Sequence, residues 1–366
     1  MPDAIGDIAR LSDTAEASAV SHDAAEAAGL VYCTDDQPGI SRRRRGKSFF
    51  YLGSSGDRIR DPAILARIRS LAIPPAYQQV WICADENGHL QATGRDAKGR
   101  KQYRYHPRFR EHQDAAKYEH IMEFAHALPA IRATVSEHLA LRGLQRPKVM
   151  ATVVRLLETT LIRVGNDDYA KQNGSYGLTT LQEEHVKLEG AELRFHFKGK
   201  SGKTWRLNIR DRRVARVIKD CQGLPGQKLF QYIDDDGSPH EVTSADINAY
   251  LKEISGRDVT AKDFRTWAGT VLAAMALREF EAFDTQARAK VNLRIAIEAV
   301  STRLGNTPAV CRKCYIHPEV LACYVEGTLA ERVRTDIETS LRDDLATLTA
   351  EETAVLSLLR NRLQAA

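Results

Sequence analysis

Residues 191–210 read AELRFHFKGKSGKTWRLNIR. Leu193, Phe195 and Phe197 alternate with Arg194, His196 and Lys198, the two-residue period of a strand with one buried face. Gly199 to Gly202 supplies turn residues, and Trp205, Leu207 and Ile209 resume the alternation. The segment therefore predicts a β-hairpin with Lys200 at its tip.

The flanks carry a different period. Upstream, Val153, Leu156, Leu157 and Leu161 recur at helical spacing, and Gly165 is the expected stop, which puts Arg163 at the helix end. Downstream, helices are expected from about Ser244, Thr266, Ala289 and Pro308, and Thr349-x-x-Glu352 is a capping box for a final one. The hairpin is thus inserted in a mainly helical region. Nearer the N-terminus, from about Ser48 to Arg110, the pattern is of strands. Val80 to Ile82 and His89 to Thr93 flank the turn dipeptide Asn87-Gly88, and Lys101 to Tyr105 follows a second glycine-containing turn. The fold class expected is α+β. A small β-rich N-terminal domain (residues 41–113) precedes a larger, mainly α domain (114–366) with one inserted β-hairpin. Residues 1–40, rich in Ala and Asp, read as an acidic flexible tail or loosely attached helix outside the folded core.

With 366 residues, 43% hydrophobic and 28% charged, the chain has the composition of a soluble globular protein with one large core or two ordinary ones. It has no apolar run of membrane-span length and no signal-peptide pattern, so the expected place is the cytoplasm. Six scattered cysteines in a chain this size read as reduced thiols. Cys311-x-x-Cys314-x-x-His317 with Cys323 is an order that could hold zinc. It lacks a second Cys-x-x-Cys pair and lies in a helical pattern, and no metal is expected.

Charge is distributed unevenly. Residues 1–40 carry a net −7 and residues 41–110 a net +11, with the remainder near neutral. The basic stretch, with aromatics interleaved in Arg100-Lys101-Gln102-Tyr103-Arg104-Tyr105, suits a surface that tracks phosphates, although a solvated basic face would look alike. Arg42 to Arg45 reads equally as a localisation signal, a DNA-contacting arm or a solvated run. Gly46-Lys47-Ser48 and Gly202-Lys203-Thr204 are not phosphate loops, because Ser41 and Phe197 stand where the first glycine is required. Asp234-Asp235-Asp236-Gly237 reads as a solvated turn rather than a metal site.

Breaking a phosphodiester without metal requires a nucleophile, cations on the non-bridging oxygens and an acid for the departing oxygen. The helical half offers Arg163 in Ile162-Arg163-Val164-Gly165, Lys200 in Lys198-Gly199-Lys200, Arg265 in Lys262-Asp263-Phe264-Arg265, and Tyr315 nine residues after Asn306. Singly, each has an ordinary structural explanation: an arginine capping carbonyls, a solvated lysine, a packed tyrosine.

In their order and spacing these residues resemble the type IB DNA topoisomerases, in particular the compact poxvirus and bacterial enzymes. The likeness extends to Ile73-Pro74-Pro75-Ala76-Tyr77 and to Gly94 through Tyr105, and covers about Ile59 to Gly327. The resemblance implies that Tyr315 attacks phosphorus and becomes linked to the 3′ phosphate, expelling a 5′ hydroxyl. It implies that Arg163 and Arg265 bind the non-bridging oxygens, that Lys200 is the acid, and that Lys262 assists at the same phosphate. Gln102, Tyr103 and Tyr105 match positions that touch DNA, within a segment that includes Arg100. Asn306 stands where many members have histidine; it keeps a neutral N–H donor but can never carry charge. No cofactor, no ATP and no metal are implied. The expected partner is duplex DNA, gripped by a monomer closing as a clamp, at the nucleoid. Two alternatives remain. A tyrosine recombinase uses a similar set, but Lys262 occupies the place of its usual histidine. A non-catalytic architectural DNA-binding protein would explain the charge but not the catalytic set.

Overall fold

The computed structural model describes residues 22–46, 48–97, 99–280, 285–330, 333 and 348–364. The chain divides into two compact units, Met1–Glu119 and His120–Ala366. Helix α3 (Pro107–His138) runs through the point of division, so the boundary lies inside a helix rather than in a polar linker.

The N-terminal unit is built on a five-stranded antiparallel sheet in the order β2 (Ser48–Leu52), β1 (Ile40–Arg45), β3 (Gln78–Ile82), β4 (Leu90–Arg95), β5 (Lys101–Tyr105). Helix α2 (Pro62–Ser70) starts where Asp61 accepts from the Ala63 and Ile64 amides and Pro62 presets the first turn. It buries Ile68 against Ile40, Val80, Ile82 and Ala92 of the sheet.

Two expectations are corrected here. The acidic opening is not a tail as far as residue 40; residues 1–21 lie outside the described residues, but residues 22–27 form helix α1, and Ala25 and Leu30 are buried with Phe109. Asp35 then ties this segment to the sheet by accepting from Thr93 Oγ1 at 2.9 Å and Lys101 Nζ at 2.8 Å. Arg42 to Arg45 lies in β1, a placement that the sequence did not foresee. Arg42 donates to the carbonyls of Ile73, Pro74 and Tyr77 and stacks over Phe49 at 4.3 Å, while Arg43 to Arg45 are exposed. The β3–β4 connection is longer than a tight hairpin, since Ile82 pairs with Ala92. Gly88 is needed there for close approach, because a Cβ would lie 2.5 Å from Cys83 Sγ.

The C-terminal unit packs around α4 (Arg146–Thr160), in which Val149, Met150, Val153, Val154, Leu156 and Leu157 are all buried. This helix stops earlier than Gly165, at Leu161 in the left-handed region (φ 58°). Residues 162–165 then run extended against Gly177 to Thr179, whose neighbouring amides at Leu178 and Thr179 donate to the Arg163 and Val164 carbonyls at 2.9 and 2.7 Å. A Cβ at Gly177 would sit 2.6 Å from Arg163 O, so the pairing requires glycine.

After α5 (Asp167–Asn173) the sheet β6 (Val186–Glu189), β7 (Glu192–Lys198), β8 (Thr204–Arg210) carries the expected hairpin, with Leu193 opposite Ile209, Phe195 opposite Leu207 and Phe197 opposite Trp205. Helix α6 (Arg212–Cys221) follows. Strands β9 (Gln231–Ile233) and β10 (Pro239–Glu241) are joined by the Asp234–Gly237 turn, in which Asp234 Oδ1 accepts from the Asp236 and Ser238 amides. The remaining helices among the described residues are α7 (Ser244–Ser255), α8 (Ala261–Arg278), α9 (Gln286–Leu304), α10 (Pro308–Cys314), α11 (Pro318–Val325) and α12 (Ala350–Gln364). The last begins with the expected capping box between Thr349 and Glu352. All six cysteines are free thiols.

Candidate active site

The C-terminal unit brings Arg163, Lys200, Lys262, Arg265 and Tyr315 to the lining of one pocket of about 380 Å³. They arrive from four local structures. Arg163 projects from the extended segment after α4, and Lys200 from the β7–β8 turn. Lys262 and Arg265 lie on the first turns of α8, and Tyr315 is the residue that ends α10. The other lining residues include Asn166, Tyr169, Ser175 and Tyr176, and among the described residues no carboxylate lines the pocket.

Arg265 is buried, with 3% exposure. Its Nη1 donates to the Leu161 carbonyl and its Nη2 to the Leu304 carbonyl, the latter at 2.7 Å. Nε is also buried and has no partner among the described residues. The guanidinium carbon stands 5.3 Å from the Tyr315 ring centroid. Burial pulls the Arg265 pKa below the ordinary guanidinium value, Tyr315 opposes that shift, and the Arg163 charge adds to it. Arg163 Nη2 donates to Asn306 Oδ1 and, at 3.4 Å, to Gly305 O. Asn306 Nδ2 is buried with no hydrogen-bond partner among the described residues, so arginine and asparagine are joined on one side and each retains donors on the other. Cys311 is fully buried beside this group; burial raises its thiol pKa, and Arg265 and Arg163 counter the rise.

The supports of this set were not foreseen. Trp205 fixes the hairpin against the end of α9, since a Cβ at Gly305 would lie 2.6 Å from its Cζ2 and one at Gly199 2.7 Å from its Cδ1. Lys200 Nζ sits 5.4 Å from the Tyr169 ring centroid. Gly269 lets the tyrosine close on α8, because a Cβ there would be 2.5 Å from Tyr315 O. An isolated glycine inside a helical run is the signal that could have marked it.

In the N-terminal unit, strand alternation separates the candidate DNA contacts. Tyr103 and Tyr105 lie on one face of β5 with rings stacked at 6.1 Å, and Tyr103 is 48% exposed. Gln102 is on the other face and donates to Asp96 Oδ2 at 3.1 Å, the same oxygen that Arg100 meets at 2.7 Å. Arg100 and Gln102 are therefore held by an acid, whereas the Tyr103 ring is presented outward.

Two family models match the chain. "Eukaryotic DNA topoisomerase I, catalytic core" covers residues 106–340 and "Bacterial DNA topoisomerase IB, N-terminal domain" covers residues 48–96. The chain belongs to the type IB DNA topoisomerases. It is 32% identical to DNA topoisomerase 1B of Acanthamoeba polyphaga mimivirus over 293 residues, which is 78% of this chain and 87% of the relative. DNA topoisomerase 1B of vaccinia virus (strain Copenhagen) is 22% identical over 252 residues, 67% of this chain and 75% of that protein. As a topoisomerase the protein is an isomerase acting on DNA, which displaces the recombinase and architectural alternatives. No helix among the described residues is long and apolar enough to cross a membrane.

Proposed function

We propose that Tyr315 is the nucleophile of a metal-free transesterification in which Arg163, Lys200, Lys262, Arg265 and Asn306 serve the scissile phosphate. The observation that carries this reading is the pocket lined by four cations and by Tyr315, with no acid among its described lining residues. Gathering like charges in a partly dry site is costly unless an anion is meant to occupy it. A phosphodiester supplies that anion, and the buried Arg265 Nε and Asn306 Nδ2 are donors suited to its non-bridging oxygens.

Tyr315 Oη forms a bond to phosphorus and gives its proton to solvent, and the bond to the 5′ oxygen breaks. Lys200 gives that oxygen a proton, leaving a 3′-phosphotyrosyl diester and a free 5′ hydroxyl. One phosphodiester has replaced another, so resealing is the reverse reaction and consumes no ATP. Rotation of the DNA between the two steps removes supercoils of either sign. The charge of residues 41–110 and the outward Tyr103 support contacts to DNA by Tyr103, Tyr105, Gln102 and Arg100, within a monomer that closes as a clamp on the duplex at the cytoplasmic nucleoid.

The test is relaxation of positively and negatively supercoiled plasmid in excess EDTA without ATP. Wild type should relax both and Tyr315→Phe neither, while the variant still binds DNA. Relaxation by Tyr315→Phe would refute the assignment.

A further inference from the structure

We propose that His120, outside the pocket, is a positioning residue for Lys262 and Arg265: it holds the Asp263 carboxylate that fixes the first turn of α8, and it does so most firmly when protonated. The inference deepens the reading above and rests on Lys262 and Arg265 acting at the phosphate.

Asp263 stands between these two residues in sequence, is 8% exposed, and turns its carboxylate away from the pocket lining. Its Oδ2 accepts from the Thr260 amide at 2.9 Å, from Thr260 Oγ1 at 2.8 Å and from His120 Nε2 at 3.2 Å. The Thr260 bonds are local, within a capping box, and fix the helix start relative to its own chain. The His120 bond is different in kind, because it spans 143 residues and ties the α8 N-terminus to α3.

That matters for the site because the turn so tethered carries Lys262 and Arg265. Helix α8 is also seated by Phe264 against Phe124 of α3, with ring centroids 4.9 Å apart, by Asn248 Oδ1 accepting from the Ala261 amide at 3.1 Å, and by Arg265 on the Leu161 and Leu304 carbonyls. The His120 bond adds a tether on the acid that stands between the two cations, and so bears on where Lys262 points. Lys262 is exposed, and its side chain has no hydrogen bond or ion pair among the described residues.

The charged groups that face His120 among the described residues are acidic. Asp263 comes from α8, Glu123 Oε2 lies 3.7 Å from Nδ1 within α3, and Asp258 comes from the loop before α8. Its pKa is raised above the ordinary imidazole value, first by the hydrogen bond to Asp263, with burial opposing and the charges of Asp263, Glu123 and Asp258 adding. Protonation makes the bond to Asp263 charge-assisted; deprotonation leaves a neutral donor at best.

The experiment measures single-turnover cleavage of a suicide duplex by full-length wild type, His120→Ala and His120→Gln at pH 6 and pH 9. Non-covalent DNA affinity is measured for each in a Tyr315→Phe background. Glutamine can donate a hydrogen bond but cannot ionise. His120→Ala should cleave about tenfold more slowly at pH 6 with DNA affinity unchanged, since small displacements of a catalytic group cost rate steeply. His120→Gln should be slower than wild type at pH 6, and the gap should narrow toward pH 9 as the wild-type imidazole loses its charge. Cleavage by His120→Ala at the wild-type rate would overturn the positioning role. A wild-type to His120→Gln ratio that does not change between the two pH values would overturn the role of the charge. Arg265→Ala is the control on the underlying reading: if it cleaves normally, the phosphate assignment itself fails, a result distinct from either failure of His120.

Discussion

Replacing Gly269 by alanine should slow DNA cleavage far more than it weakens the fold. A Cβ at this position would come within 2.5 Å of Tyr315 O and 3.2 Å of Tyr315 Cβ, whereas ordinary contact begins at 3.4 Å. The other close atom is Leu304 Cδ1 at 3.2 Å, the end of a side chain that can turn aside. A backbone carbonyl cannot, so the tyrosine must retreat from α8 by about 0.9 Å, and a 1 Å misplacement costs about 10²-fold in rate. The cleavage rate should therefore fall by about 30- to 100-fold. Overpacking costs about 1–3 kcal/mol, and alanine returns about 1 kcal/mol of helix propensity, so the net loss of stability should be about 0–2 kcal/mol. The comparison is single-turnover cleavage of a suicide duplex beside a urea melt of the same preparation. Cleavage within about threefold of wild type would show that Tyr315 is not seated on α8 in the way argued, given the rate loss expected for such a shift.

Other outcomes follow from the same geometry. Asn306→His should remain active and Asn306→Ala should cleave more slowly, because only the former keeps an N–H donor beside Arg163; equal rates for wild type and Asn306→Ala would remove Asn306 from the mechanism. Trp205→Ala should lower cleavage with little loss of DNA affinity, as the Lys200 hairpin loses its contact with Gly305, and affinity and rate falling in parallel would argue against that role. Glu352 bonds Arg132 through both oxygens at 2.8 Å and also accepts from Trp267 and the Thr349 amide, so Glu352→Gln should cost about 3–5 kcal/mol in a urea melt at neutral pH. Although burial opposes it, these donors hold the Glu352 pKa below the ordinary 4.5; its contribution is full above that value and disappears as pH falls through the lowered one, so acid unfolding of the variant should be flatter in that window.

The hairpin was legible because alternation survives on both of its strands and glycines mark its turn. The gathering of Arg163, Lys200, Arg265 and Tyr315 in one pocket was legible through their order and context, since no one of them is distinctive alone. What escaped was decided by tertiary packing. Nothing local shows that Leu161, rather than Gly165, takes the left-handed conformation that ends α4. The acidity of residues 1–40 concealed the few apolar side chains, Ala25 and Leu30, that anchor residues 22–40 on Phe109. Four successive arginines gave no sign that Arg42 would be spent on the carbonyls of Ile73, Pro74 and Tyr77. His120 carried no signal at all, because its partner is 143 residues away.

The carbonyls that hold Arg265 belong to two helix ends, Leu161 closing α4 and Leu304 closing α9. Both helices thus present the negative poles of their dipoles to one guanidinium. A carboxylate in that position would compete with the incoming phosphate and would vanish in acid. Peptide dipoles do neither, since they cannot titrate and are too weak to neutralise the full charge. The protein can thus keep a buried cation in place when the pocket is empty and still offer it, at any pH the fold survives, to the phosphodiester that the proposed mechanism places there.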